Sequence, residues 1–239
     1  MGAHVLSRAV GQLMALADAI RDRLAERADP KRAAGQQAYM KSALPFHGVP
    51  VPEVRRLTRA ELRAHGPLAD RAAWERVIRA LWEGAARREE RYAALAVARF
   101  PRHRRWAADP VSLEFYRELI LTGQWWDLCD EIAHLVGLVL AVSPEQTAPV
   151  LRGWSREDDL WLRRVAILSQ LDRKGDTDRD LLAYAIVGSL HDGDFFARKG
   201  IGWALRQFSK TDPDWVRGFV AEHRELSRLS VREALRLIE

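Results

Sequence analysis

An arginine that returns at a near-constant interval constrains this chain more than any other feature. It stands at Arg91, Arg163, Arg198 and Arg232, in the segments "EERYAALAV", "DLWLRRVAI", "DFFARKGIG" and "LSVREALRL". The last three positions are 35 and 34 residues apart, and the first gap, 72, is twice 36. The midpoint of that gap is Asp127, so an acid occupies the arginine slot there. Two of the segments also share the series Asp, apolar, aromatic, apolar ahead of the arginine, beginning at Asp159 and Asp194. A repeat of this length is one supersecondary unit that cannot bury its apolar face alone and must stack on its neighbours. The tetratricopeptide signature is absent. An Asp followed by Arg is closer to HEAT-type repeats, although their usual period, ~40–47 residues, is longer.

Helical patterning fills the space between the repeats. "ADRAAWERVIRALWE" sets Trp74, Val77, Ile78, Leu81 and Trp82 on one apolar stripe. Asp109-Pro110, Ser143-Pro144 and Asp212-Pro213 read as helix starts with proline at the first helical position. Ser143 with Gln146, and Ser230 with Glu233, have capping-box spacing. Gly66, Gly123 and Gly193 read as stops or turns. No alternating strand pattern is present. The expectation is an all-α protein of roughly eleven to thirteen helices, a single HEAT-like repeat α-solenoid domain over residues 1–239 with a concave basic groove.

Composition narrows the function classes. The formal charge is +5 and the sequence pI about 9.7, which suits an acidic partner such as nucleic acid. Only five of the 38 basic residues are lysine, and an arginine excess also follows from coding bias, so charge alone does not decide the partner. No run reaches the ~18 apolar residues of a membrane span. The N-terminus, MGAHVLSRAV, lacks a secretory pattern and has Leu6 where myristoylation wants Ser or Thr. The one cysteine, Cys129, reads as a small core residue without a basic neighbour to activate it. These features lead us to expect a cytoplasmic protein without a membrane partner. The seven histidines are scattered, with no HExxH, and no Walker, GxGxxG or GxSxG motif occurs, so neither a metal nor a cofactor is expected.

The segment "GQWWDLCDE" is where chemistry concentrates. Trp126 and Asp130 are four residues apart and share a helix face. Trp126, Trp161 and Phe196 fall 35 residues apart, at equivalent repeat positions. Core packing accounts for Trp161 and Phe196 but not for a tryptophan with Asp130 beside it. Asp127 reads as a cap or ion-pair partner.

Four ordered motifs carry a resemblance: "QAYMKSALPFHGVPVPEVRRL", "QWWDLCDEIA", "DDLWLRRVAILSQL" and "FFARKGIGWALRQFSKTDP". From about residue 36 to its end the chain is similar to DNA alkylation repair enzymes of the AlkD family. The resemblance implies a HEAT-like fold and a DNA glycosylase acting in base excision repair. Such an enzyme removes positively charged alkylated purines, 7-methylguanine and 3-methyladenine, from double-stranded DNA, without a cofactor and as a monomer. It implies Trp126, Asp130 and Trp203 as catalytic residues, and Arg164, Arg206 and Tyr39 as DNA contacts. An alkylated purine already carries the charge that makes it a good leaving group, so no general acid is required. One carboxylate beside the oxocarbenium-like sugar and two indole faces supply what remains.

Arg163 and Arg164 divide in this reading. Arg163, at the repeated position, is expected to bond a neighbouring turn or acid. Arg164, about 100° around the helix, is expected on the surface toward DNA, where its loss costs less than ~0.5 kcal/mol. Two other readings stand beside the enzyme: a non-catalytic HEAT-like protein for branched or damaged DNA, and a protein-binding scaffold.

Overall fold

The computed structural model describes residues 2–238, with side chains from residue 10 onward. Fourteen α-helices and no strand occur among the described residues, so the chain is all-α. Two compact units divide it, residues 1–106 and residues 107–239.

The first unit contains α1 (Gly2–Ala25), α2 (Pro30–Met40), α3 (Val51–His65), α4 (Arg71–Glu83) and α5 (Arg88–Ala98). Helices α3 and α4 pack on α5, and α1 packs on α3, α4 and α5. All five residues of the α4 stripe are buried, together with Ile20, Leu24, Leu62 and Leu95. Gly66 follows α3 with φ +88°, the left-handed region that glycine adopts without a Cβ penalty. The loop between α2 and α3 is fastened from below. Glu89, fully buried at the start of α5, accepts hydrogen bonds from the backbone N–H groups of His47, Gly48 and Val49 at 2.8–3.0 Å. A buried carboxylate is stable only with such partners, and here they are the loop's own amides.

Short α6 (Arg104–Ala107) ends at the boundary. The second unit contains α7 (Ser112–Gly123), α8 (Trp126–Val142), α9 (Pro144–Trp154), α10 (Leu160–Leu168), α11 (Arg179–Val187), α12 (Phe195–Ser209), α13 (Pro213–Glu222) and α14 (Arg228–Leu235). The helices α8, α10, α12 and α14 lie side by side in chain order, while α9, α11 and α13 pack on them from the next positions. The starts of these four helices, residues 126, 160, 195 and 228, carry the period of 33 to 35 residues.

The repeated residues have local reasons. Asp159 caps α10 by accepting from the N–H groups of Trp161 and Leu162, and Asp194 caps α12 through Phe196. Arg163 donates to the carbonyls of Glu157 and Asp158 and to Asp192, as expected of the repeated position. Arg198 does the equivalent, donating to the Asp192 carbonyl six residues back.

One helix start and two caps differ from the expectation. The helix after Asp109-Pro110 begins at Ser112, because Asp109 turns its carboxylate to the Val111 N–H and closes a tight turn first. Ser143 precedes α9 with Pro144 at the first position, but its side chain makes no capping bond. Ser230 is not a cap: Ser227 caps α14, accepting from the Ser230 N–H, and Glu233 is drawn elsewhere.

Close backbone approach sets the spacing of these inner helices. A Cβ on Gly137 of α8 would stand 2.6 Å from the Ser169 carbonyl, and one on Gly202 of α12 would stand 2.5 Å from the Glu233 Cβ. Only hydrogen fits at either position. Among the described residues no helix is long and apolar enough to cross a membrane.

Candidate active site

Helix α8 begins at Trp126, with Trp125 as its N-cap residue. The next turn brings Asp130 to the same face as Trp126. Asp130 is largely enclosed, its side chain 16% exposed, and Arg164 of α10 meets it with both forks of the guanidinium. Arg164 Nε donates to Asp130 Oδ1 at 2.8 Å and Nη2 to Oδ2 at 2.9 Å. The remaining nitrogen, Nη1, donates to the Phe196 carbonyl at 2.6 Å in the first turn of α12. A Cβ at Gly200 would lie 3.1 Å from that same Nη1, so glycine leaves room for the guanidinium. Three consecutive helices, α8, α10 and α12, thus meet at one guanidinium.

Burial lifts the Asp130 carboxyl above its ordinary value, and the hydrogen bonds and charge of Arg164 oppose that rise. Burial pushes the neighbouring Cys129 thiol far up, in keeping with an inert core cysteine.

The position of Arg164 corrects one expectation. It is 4% exposed and bound on all three nitrogens, not a surface residue reaching outward. Sequence periodicity gave its angle relative to Arg163 correctly. It could not show that the direction it faces is filled by Asp130 of the previous repeat.

The aromatic stack at the helix starts has a member that the spacing did not mark. The tryptophan that packs with Trp161 and Phe196 is Trp125, with ring centroids 6.0 and 5.3 Å away. Trp126, at equal spacing with residues 161 and 196, was expected to do something other than core packing. Because Trp125 fills the aromatic stack at the helix starts, Trp126 is half-buried on the Asp130 face instead.

Trp203 is half-buried on α12, and Arg206, one turn later, is paired with Glu233 of α14. Lys199 joins the same carboxylate at 2.7 Å. The sequence reading leaves Lys199 unmarked and takes Glu233 only as half of a capping box, although both fall on the 34–35-residue spacing that links Asp130 to Arg164. Tyr39, in the first unit near the end of α2, is 75% exposed. His134, one turn beyond Asp130, pairs through Nδ1 with Asp172 at 2.6 Å. Among the described residues no group of His, Cys, Asp and Glu is arranged to hold a metal ion.

The family model for DNA alkylation repair enzymes matches residues 20–238. A predicted DNA alkylation repair enzyme of Enterococcus faecalis shares 30% sequence identity and superposes with a TM-score of 0.76, over 88% of this chain and 96% of that one. The alkylpurine DNA glycosylase AlkC of Pseudomonas fluorescens, solved with DNA containing an abasic site analog, is more distant. It has 16% identity and a TM-score of 0.47, over 95% of this chain and 62% of that one. No curated protein matches the chain. With its ordered motifs, its helical fold and a family match over nearly the whole length, the chain belongs to the DNA alkylation repair enzyme family.

Proposed function

We propose that the protein is an AlkD-type DNA glycosylase that releases cationic alkylated purines, 7-methylguanine and 3-methyladenine, from duplex DNA to begin base excision repair. The observation that carries this reading is one carboxylate, Asp130, enclosed and oriented by Arg164 beside Trp126. As the glycosidic bond breaks, positive charge grows on the sugar. A fixed carboxylate in a partly dry site favours that state more than the ground state, because it need not reorganise.

Arg164 fits this role as a positioning residue. Its two donors leave the carboxylate one orientation, and its charge opposes the proton uptake that burial encourages. The indole faces of Trp126 and Trp203 would flank the cationic nucleoside, each worth ~0.5–2 kcal/mol. A base that is already cationic leaves neutral, so the site needs no acid for it. Arg206 and Tyr39 are proposed as contacts to the strand, and the protein is proposed to act as a monomer.

Release of methylated bases from DNA treated with a methylating agent tests the reading. Liberated 7-methylguanine and 3-methyladenine, with no release of uracil from a uracil-containing duplex, is the expected result. Absence of any base release from methylated duplex would contradict it. The second reading, a DNA-binding protein without catalysis, draws on the same ion pair: an acid closed by an arginine that is 4% exposed is also what a purely structural bridge looks like.

A further inference from the structure

Four charged positions recur in one column of the second unit. Asp130, Arg164, Lys199 and Glu233 are separated by 34, 35 and 34 residues, one on each of α8, α10, α12 and α14. They pair in twos, Asp130 with Arg164 and Lys199 with Glu233. The second pair has a third member. Lys199 Nζ meets Glu233 Oε1 at 2.7 Å, and Arg206 Nη1 donates to Oε2.

This triad is built into the packing of α12 on α14. The Glu233 side chain is 8% exposed, while Lys199 and Arg206 are 37% and 23% exposed. Gly202 allows the approach, since a Cβ there would collide with the Glu233 Cβ. Lys199 holds the Glu233 carboxyl below its ordinary value, so Glu233 is an anion. Arg236, exposed at the end of α14, adds only attraction at longer range. Lys199 stands one turn before Trp203 and Arg206 three residues after it, so all three share a face of α12. Each cation uses one donor on Glu233, whereas an ammonium has three and a guanidinium five.

We propose that Glu233 is a positioning residue for a DNA strand: it fixes Lys199 and Arg206 on either side of Trp203 and cancels one of their two charges, so that the triad seats a single phosphodiester. This rests on the duplex-binding reading above. Two long cationic side chains without the carboxylate would repel each other and lose their fixed places. With it they form a rigid fork of one net positive charge, and a phosphodiester is the singly charged anion with two free oxygens that such a fork fits.

Salt titrations of binding to an undamaged duplex test this, with Glu233→Gln, Lys199→Gln and the double variant beside the wild type. Each phosphate contact contributes about 0.9 to the slope of log affinity against log salt. Glu233→Gln frees a second cation and steepens the slope by about that amount. Lys199→Gln leaves Arg206 neutralised by Glu233 and flattens it by the same amount, and the double variant returns to the wild-type slope. Single-turnover base release by Glu233→Gln falls about tenfold despite tighter binding, because the strand is no longer held in one place.

A purely structural Glu233 would lower the melting temperature without this opposed pair of slopes. Should Glu233→Gln fail to fold, Lys199→Gln, at a partly exposed residue, carries the test alone. An unchanged slope for Lys199→Gln, or a flatter one for Glu233→Gln, in a wild type that binds duplex overturns the triad only. A wild type with no salt-dependent affinity for duplex overturns the DNA reading and the triad with it.

Discussion

Arg164 and Asp130 form a two-pronged ion pair across neighbouring repeats, with both hydrogen bonds under 3 Å and the guanidinium almost entirely enclosed. The pair is 34 residues apart in sequence. In the proposed mechanism it joins the fold to the chemistry, because the residue that orders the carboxylate also links three helices.

Arg164→Ala leaves Asp130 enclosed without its partner. Removing one member of a buried pair costs ~3–5 kcal/mol, and the partial exposure of Asp130 places the expected loss near ~3. For a chain of this size that is a fall of about 6–12 °C in melting temperature. The loss has a pH signature. Asp130 has a folded-state pKa above its unfolded value, so it binds its proton more tightly in the folded protein. Its unfavourable contribution develops as pH rises through the window above ~3.9, and removing Arg164 widens that window upward. The variant is therefore closest to wild type in acid and furthest from it at neutral pH. Melting curves across pH check this, and an unaltered melting temperature at neutral pH contradicts it.

Under the proposed function the same pair sets the rate of base release. The carboxylate must be charged to work, so the rate falls as pH drops through the Asp130 pKa. Burial puts that acid limb above the ordinary aspartate range. A conservative Arg164→Lys variant keeps a charge but loses the bidentate geometry, so its acid limb moves to higher pH and its plateau rate drops at least tenfold. Single-turnover rates measured against pH separate this from simple instability, which would lower the active fraction without moving the limb.

Arg163→Ala is predicted to affect stability alone. Arg163 ties the turn before α10 to Asp192 in the next repeat, and hydrogen bonds to charged groups are worth ~1.5–3 kcal/mol. Base release per folded molecule stays unchanged. A changed rate with an unchanged melting temperature would remove the division of labour between the two adjacent arginines.

Glu89→Ala strips three backbone N–H groups of their acceptor, those of Gly48 and Val49 buried and that of His47 partly so. Each unsatisfied donor costs ~1–3 kcal/mol, so a loss of more than ~3 kcal/mol is expected, with faster proteolysis in the 41–50 loop. Chemical denaturation and limited proteolysis measure both. A stability within ~1 kcal/mol of wild type would show that another acceptor replaces the carboxylate.

The repeat was legible in the sequence for a physical reason. The helix pairs that begin with α10 and α12 use the same cap and the same tie, so Asp159, Asp194, Arg163 and Arg198 recur in register and do equivalent jobs. Trp126 with Asp130 was legible because residues four apart on a helix share a face. What crosses between repeats was not. The burial of Arg164 depends on Asp130, Phe196 and Gly200, which are distant in sequence. Equal spacing placed Trp126 level with Trp161 and Phe196 but did not mark Trp125, the N-cap residue of α8, as the ring that packs on both. Glu233 looked like half of a capping box, whereas Ser227 took the cap and left its carboxylate to Lys199 and Arg206.

The most direct measurement is single-turnover release of 7-methylguanine from a defined duplex by the Asp130→Asn variant, with duplex affinity measured in parallel. Asparagine keeps the size and loses the charge. The account predicts a rate at least a hundredfold below wild type with affinity equal or higher, because a charge that repels phosphate is gone. A variant that releases the base at the wild-type rate would contradict it, and would leave the Asp130–Arg164 pair as a strut between repeats.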